Sequence, residues 1–496
     1  MGPDLSFFSR QLAMPLVKAL QECAQRNDAP FYTPGHKRGQ GVDRSLTDLL
    51  GSKVFRADLP ELPELDNLFA PQGAIQAAQE LAAIAFGADR TWFLVNGSTS
   101  GIIAAILSTC GSGDKILMPR NVHQSAIAGL IHSGAVPVFL LPEYDRQLDL
   151  AHSITPEAVR SALAQHPDAK AVLMVYPTYH GAGGDVAAIA QIAHQHSIPL
   201  IVDEAHGAHF AFHHELPIAA LAAGADLVVQ STHKTLAAMT QAAMLHLRGD
   251  RVAGDRISRA LQLVQSTSPS YLLLASLDAA RQQMATQGHS LMERTLHLSD
   301  CARDRLTQIP KLAVLQPEQA VTPGFCKLDR TRLTVIVSEL GLTGYSADEF
   351  LHEQCGVTAE LPSLHHLTFI LSLGNTSEDV DRLVQGFQAL AGKWGAKNTE
   401  KSELKIQAST PLPFHLFALT PREAFFSATQ ALPIAQTIDR ISAELVCPYP
   451  PGIPVLMPGE VVTEVAIHHL QTVLASGGIL SGCTDPTLQT LKIVNF

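Results

Sequence analysis

The sequence predicts an α/β protein with a large domain on a mainly parallel sheet, a smaller α/β domain and a C-terminal α+β domain. Three observations lead there. Between about residues 90 and 250, short apolar runs alternate with longer helical patterns, which marks βαβ units around a parallel sheet. The pattern then changes to a long helical stretch over 257–306, followed by mixed strands and helices to about Leu390. Finally, the polar, lysine-rich stretch 391–410 has the composition of a surface linker. At 496 residues the chain exceeds what one core ordinarily organises. We expect an N-terminal arm (1–45), a large domain (46–265), a small α/β domain (266–395), and a linker with a C-terminal domain (396–496) that begins near Thr410.

The expected strands of the large domain are TWFLV, KILMP, VPVFLL, AVLMVYP, PLIVDEAH and ADLVVQST. Between them lie 98–110, 122–133, 185–196 and 218–223, most of them long enough for a covering helix. Such a sheet is buried on both faces. The C-terminal stretch CPYPPGIPVLMPGE (447–460) holds five prolines, which exclude regular helix and predict a rigid, shaped loop.

Composition removes several function classes. Hydrophobic residues make up 46% and charged residues 16%, which suits a packed globular chain and not a disordered one. The net charge of −11 offers no footprint for nucleic acid, which requires clustered Lys and Arg. Seven cysteines stand far apart with no CxxC pair, so neither a disulfide framework nor a zinc site is expected, and a reducing cytoplasm suits the chain. No apolar run reaches the length of a membrane span, and the N-terminus has no secretory pattern. MGPDLS matches the loose myristoylation pattern, but so short a pattern recurs by chance and is set aside.

Ligands of open α/β sheets bind at the carboxyl ends of strands. Five places there are rich in chemistry: 96–100, 121–123, 178–180, 203–206 and 231–234. NGSTSG (96–101) follows a strand and opens a helix, so its backbone N–H groups and hydroxyls suit an anion such as phosphate. Asp203 ends PLIVDEAH, where a buried carboxylate requires a cation or hydrogen bonds. Lys234 in STHKT follows ADLVVQ, and a lysine partly withdrawn from water has the lowered pKa that favours Schiff-base chemistry. An anion anchor, an acid for a ring nitrogen and an imine-forming lysine are the parts of a pyridoxal phosphate (PLP) site. Here they occur in that order on turns of one sheet. His123 in PRNVHQS stands where a ring could stack on the cofactor; it could equally be a hydrogen-bonded core histidine.

Three other readings fail on particular residues. DEAH (203–206) is also a helicase box, but no GxxxxGK[ST] loop accompanies it. His206, His209, His213 and His214 near Asp203 and Glu204 invite a metal hydrolase, yet HHEL lacks a second histidine at zincin spacing, and no metal is expected. GSTSG has the outline of a hydrolase nucleophile elbow, but Thr99 occupies its central position.

With FYTPGHKRG, VNGSTSG, PRNVHQS, YPTYHG, DEAHGAH, QSTHKT, STSPSYLLLASLD and CPYPPGIPVLMPGE in view, the chain resembles the ornithine/lysine/arginine decarboxylases of PLP fold type I. The resemblance implies Lys234 as the lysine that carries PLP, Asp203 at its ring nitrogen, His123 stacked on it and His206 near the reacting atoms. It implies Ser98, Thr99, Ser231 and His233 as phosphate ligands. STSPSY (266–271), with Ser268, resembles the segment that completes the neighbouring subunit's phosphate site, which implies a homodimer or higher homo-oligomer with shared active sites. TPGHK already appears at Thr33, which puts the regulator-like wing of larger members, and wing-mediated decamers, in doubt.

The activity implied is decarboxylation of a basic amino acid with release of CO2, in polyamine metabolism. Arginine to agmatine is the first expectation, lysine to cadaverine the second and ornithine the third. The far end of such a substrate requires carboxylates, because an unpaired buried cation is costly; Glu360 in GVTAEL and Glu460 in MPGE are the candidates. The alternative is another fold type I enzyme, such as an aminotransferase or an aldolase-type lyase.

Overall fold

The structure is a computed structural model that describes residues 9–395, 417–449 and 452–495. The expected linker from residue 396, the boundary near Thr410, the MGPDLS pattern and two prolines of the 447–460 stretch lie outside the described residues. The region of expected βαβ units includes the strands β1 (Arg90–Leu94), β2 (Lys115–Pro119), β3 (Val136–Leu140), β4 (Ala171–Val175), β5 (Leu200–Asp203), β6 (Leu227–Gln230) and β7 (Ala243–Leu247). Helices α1 (Pro15–Gln25), α2 (Gly97–Thr109), α3 (Gln124–Ser133), α4 (Val186–Gln195), α5 (Gly254–Val264) and α6 (Tyr271–Thr307) accompany them. The described residues divide into two compact units, 9–108 with 201–214 and 218–292, and 109–200 with 215–217 and 293 onward. The division interleaves along the chain, because strands distant in sequence pack together.

In the first unit the strand order is β1-β7-β6-β5. Strand β7 was not anticipated, since its AMLHL run is broken by His246. Every residue of it is nevertheless buried, and the ring of His246 is satisfied by the Thr91 hydroxyl at 2.8 Å and by Gln230 Oε1 at 3.1 Å. It runs antiparallel to both β1 and β6, and β6 is parallel to β5. Two reversals cancel, so β1, β5 and β6 all end on the same edge of the sheet. Helix α2 lies close on these strands because Gly101 has no side chain. A Cβ there would come within 2.7 Å of Leu94 Cδ1 and Val229 Cγ1.

The expected helical stretch 257–306 is two helices. Between α5 and α6 the chain reads STSPS, and Pro269 lacks the N–H that a continuous helix would use. Helix α6 also holds the arm: Asp278 accepts the backbone N–H groups of Leu16 and Val17, and Arg281 donates to the carbonyls of Gln11 and Ala13. Both charged residues are fully buried and paired with each other, as such charges must be. The short segment 218–223 forms no helix, and turns occupy most of it. Six residues are too few to sustain a helix alone, and the N–H of Ala220 bonds to Glu204 instead.

In the second unit β4, β2 and β3 are parallel neighbours. Further along, β8 (Ala313–Val314), β9 (Arg332–Ile336), β10 (Leu361–Pro362) and β11 (His366–Ile370) make an antiparallel sheet in the order β8-β9-β11-β10. With α7 (Gly344–Cys355) and α8 (Ser377–Trp394) it encloses a core that includes Val335, Leu351, Leu367 and Phe387. Finally β12 (Thr429–Pro433) pairs with β15 (Thr490–Val494), and β13 (Cys447–Tyr449) with β14 (Ile479–Ser481). Helix α9 (Glu464–Ala475) covers them over a core that includes Leu456, Ile467 and Leu470, the expected α+β arrangement. The proline-rich stretch thus opens as a strand. No helix among the described residues is long and apolar enough to cross a membrane.

Candidate active site

The shared carboxyl edge of β1, β5 and β6 gathers polar residues at the ends of apolar runs. Strands β5 and β6 are buried along their whole length, so the first polar side chains beyond them are fixed in position by the packing behind. Asp203 is the last residue of β5 and is 8% exposed. Its Oδ1 accepts the N–H of Ala205 at 3.2 Å. Burial pushes its carboxyl above the ordinary range, and the nearby charge of Lys234 pulls it back down. Lys234 belongs to the single helical turn Thr232–Thr235 that follows β6, and its Nζ stands 3.0 Å from Nε2 of His206. The amine and imidazole therefore meet, and the charge of Lys234 reaches the buried acid.

Two hydroxyls form the second part of the edge. Ser231 Oγ donates to Ser98 Oγ at 2.7 Å, joining the start of the Lys234 turn to the first turn of α2. Thr99 is exposed in that same first turn, where helix N–H groups have no internal partner. His233 is half-buried, and burial, then the charge of Lys234, lowers its pKa. Ser268 is exposed, and its N–H donates to Ser266 Oγ at 3.1 Å.

Some supporting contacts around the site were not read from the sequence. Gln265 Oε1 accepts the N–H of Val95 at 2.9 Å, and Asn96 Oδ1 accepts that of Ser266 at 3.1 Å. These two bonds clip the STSPS loop to the turn that opens α2. Behind Asp203, the fully buried Glu204 accepts from the Ala220 N–H and from Gln230 Nε2, each at 2.7 Å. Gln230 continues to His246 and Thr91. Burial pushes Glu204 up to about 8 and His246 down to about 3. The available signal was the acid directly after Asp203 at the end of an apolar strand.

Three expected site residues lie in the second unit. His123 caps α3, its Nδ1 accepting the N–H of Ser125 at 3.2 Å, which fixes the ring orientation. Glu360 is exposed beside a cleft of about 420 Å³ that Thr358, Asn375, Asp379 and Arg382 also line. Glu460 is fully buried; its Oε2 accepts from Arg120 Nη2 at 3.1 Å and from the Met457 N–H at 2.8 Å. Burial pushes it up to about 7 despite the opposing charge of Arg120. Arg120 also donates to the carbonyls of Pro454 and Val455. Glu460 therefore already has its cation.

The donor set at the first unit's edge fits PLP: paired hydroxyls at a helix start for a phosphate, a buried carboxyl for a protonated ring nitrogen, and a lysine amine beside an imidazole. Comparison with known proteins agrees. The family model of the Orn/Lys/Arg decarboxylase major domain matches residues 14–379, and that of the family's C-terminal domain matches 406–482. Arginine decarboxylase of Bacillus subtilis is 40% identical over 97% of this chain and 97% of its own. Lysine decarboxylase LdcA of Pseudomonas aeruginosa is 27% identical, covering 91% of this chain and 74% of its own. Among solved structures, lysine decarboxylase A of Pseudomonas aeruginosa superposes with a TM-score of 0.84 at 23% identity, over 98% of this chain and 81% of that one. The fold is PLP fold type I, and the chain belongs to the Orn/Lys/Arg decarboxylase family.

Proposed function

We propose that this amino-acid decarboxylase takes arginine to agmatine and CO2, with lysine as the second-best substrate and ornithine the third. The preference for arginine rests on full-length relatives at 40% identity that are arginine decarboxylases, against 27% for a lysine decarboxylase. The observation that carries the chemistry is Lys234 Nζ at 3.0 Å from His206 Nε2, beside buried Asp203.

PLP, when bound, supplies an electron sink for bonds broken at the substrate's α-carbon. The chain's own residues do the rest. Lys234 would hold the cofactor through its side-chain amine, which stands beside the His206 imidazole. Asp203, whose burial disfavours an isolated negative charge, would be stabilised as a carboxylate by a cationic ring nitrogen and would keep that nitrogen protonated. Ser98, Thr99, Ser231 and His233 hold the phosphate at the start of α2, where free N–H groups add to the hydroxyls. His123, its ring held by Ser125, stacks on the cofactor. Lys234 and His206 form the proton-carrying pair that returns a proton to the α-carbon.

How the site positions the substrate's carboxylate would select decarboxylation over other bond cleavages at the α-carbon. Glu360 and Glu460 are the proposed acids for the substrate's far end. The exposed carboxylate of Glu360 is free to meet a guanidinium, whereas the ion pair with Arg120 weighs against direct contact by Glu460. Chains pair as homodimers in which Ser268 serves the neighbour's phosphate site, and the enzyme works in the cytoplasm. The order of arm, large domain, small domain and C-terminal domain given by the sequence describes the functional modules.

Incubating the purified enzyme separately with arginine, lysine and ornithine, and identifying the amine formed, tests the reading. Agmatine formed fastest supports it. Cadaverine or putrescine as the main product moves the substrate, and no amine from any of the three defeats the activity.

A further inference from the structure

The loop that leaves Asp203 and His206 passes through the tight turn Phe210–Phe212 and ends in two histidines. There His213 and His214 meet His289 of α6. Ring centroids stand 4.7 Å apart for His213 and His214, 4.6 Å for His213 and His289, and 5.9 Å for His214 and His289. One ring nitrogen from each lies within 4.8 Å of the others. The sequence shows only the adjacent pair, since His289 arrives from a distant helix.

The fold builds this meeting point. A Cβ on Gly288 would stand 3.0 Å from Phe212 Cβ and 3.1 Å from its Cδ1. Glycine there lets α6 approach Phe212, which sets the next two residues beside His289. His213 is 5% exposed, and its neighbours His214 and His289 are exposed. One ring is thus held by packing while two face solvent, where an ion can enter.

The geometry points to a binding site for a divalent late first-row transition-metal ion, of the zinc, nickel and copper class, held by His213, His214 and His289. Imidazole nitrogens select that class, whereas magnesium and calcium take oxygen ligands. Nitrogens about 2.1 Å from a tetrahedral ion stand roughly 3.4 Å apart, a spacing that the two exposed rings reach by side-chain rotation. Three protein ligands leave a position for water. The bound ion would fasten the loop that follows β5 to α6, and would stabilise the fold in proportion to the logarithm of its concentration.

The test uses untagged PLP-loaded enzyme, stripped of metal with a chelator and dialysed against Zn2+, next to the double variant H214A/H289A prepared identically. Metal taken up by the cofactor is then common to both. Wild type is expected to hold one more zinc per chain than the variant, with a zinc-dependent rise in melting temperature that the variant lacks. Cu2+ loaded in place of zinc is expected to show nitrogen couplings in its electron paramagnetic resonance spectrum that change in H289A, with affinity more than about tenfold weaker. Both substituted residues are exposed, so equal melting temperatures without metal establish that the variant folds. Equal zinc uptake by the two proteins, or a copper spectrum unchanged by H289A, overturns the assignment.

Discussion

Asp203 and Glu460 are both buried acids pushed upward by burial, yet they sit in opposite kinds of surroundings. Glu460 is closed: Arg120 and the Met457 N–H engage its Oε2, and Arg120 spends its remaining reach on two carbonyls of the same loop. Asp203 has one short-range backbone donor and a lysine charge nearby, at a sheet edge where Ser98, Ser231 and His206 also converge. The first pair shapes a loop; the second group is arranged for a ligand. Burial of a carboxylate alone does not distinguish the two, and the identity of its cation does.

The largest expected effect lies on the closed pair. Arg120→Met leaves Glu460 buried without its cation, which costs about 3–5 kcal/mol of stability, read as a lowered urea midpoint. The loss should be greater at pH 8 than at pH 6, because the unpaired carboxyl can protonate at the lower pH. If Arg120→Met melts like wild type at both, the pair is not what holds the loop.

Asp203→Asn should behave in the opposite way. Decarboxylation falls by about 10²–10³-fold, the usual loss for one electrostatic group in a site, while the urea midpoint stays near wild type. A variant that loses stability in place of activity would put Asp203 in the same class as Glu460.

Glu204 sharpens the comparison, being buried and served by two neutral donors. Its folded pKa of about 8 lies above the ordinary 4.5, so the folded state binds its proton more tightly. That contribution is fully present below pH 4.5 and is lost as pH rises through about 8. Glu204→Gln removes the titration, so its melting temperature should gain on wild type between pH 6 and pH 8. A constant difference across that range would contradict the assignment. The smallest effect belongs to Ser231→Ala, which loses one hydrogen bond at the anion anchor and should release PLP about tenfold more readily, measured by cofactor retention on dialysis.

Much of this was legible because the chemistry follows the strands. Lys234, Asp203 and Ser98 each stand within four residues of the end of an apolar strand, and a parallel sheet places such residues together. The antiparallel β7 was not legible, since His246 disguises a buried strand whose polar ring is satisfied only by Thr91 and Gln230 from neighbouring strands. The partner of the Ala220 N–H was hidden for a similar reason, since it is Glu204 from another part of the sequence. Nothing near Glu460 in sequence shows that Arg120 pairs with it, and His289 gave no hint that it meets His213 and His214. Long-range pairing of polar groups is what the sequence leaves unread.

Borohydride reduction of the PLP-loaded enzyme, followed by digestion and mass spectrometry, tests the central claim most directly. The account predicts a pyridoxyl group on Lys234 and the loss of the visible absorbance band, with neither band nor label in Lys234→Ala. A label on another lysine, or a colourless protein that takes up no cofactor, would contradict it.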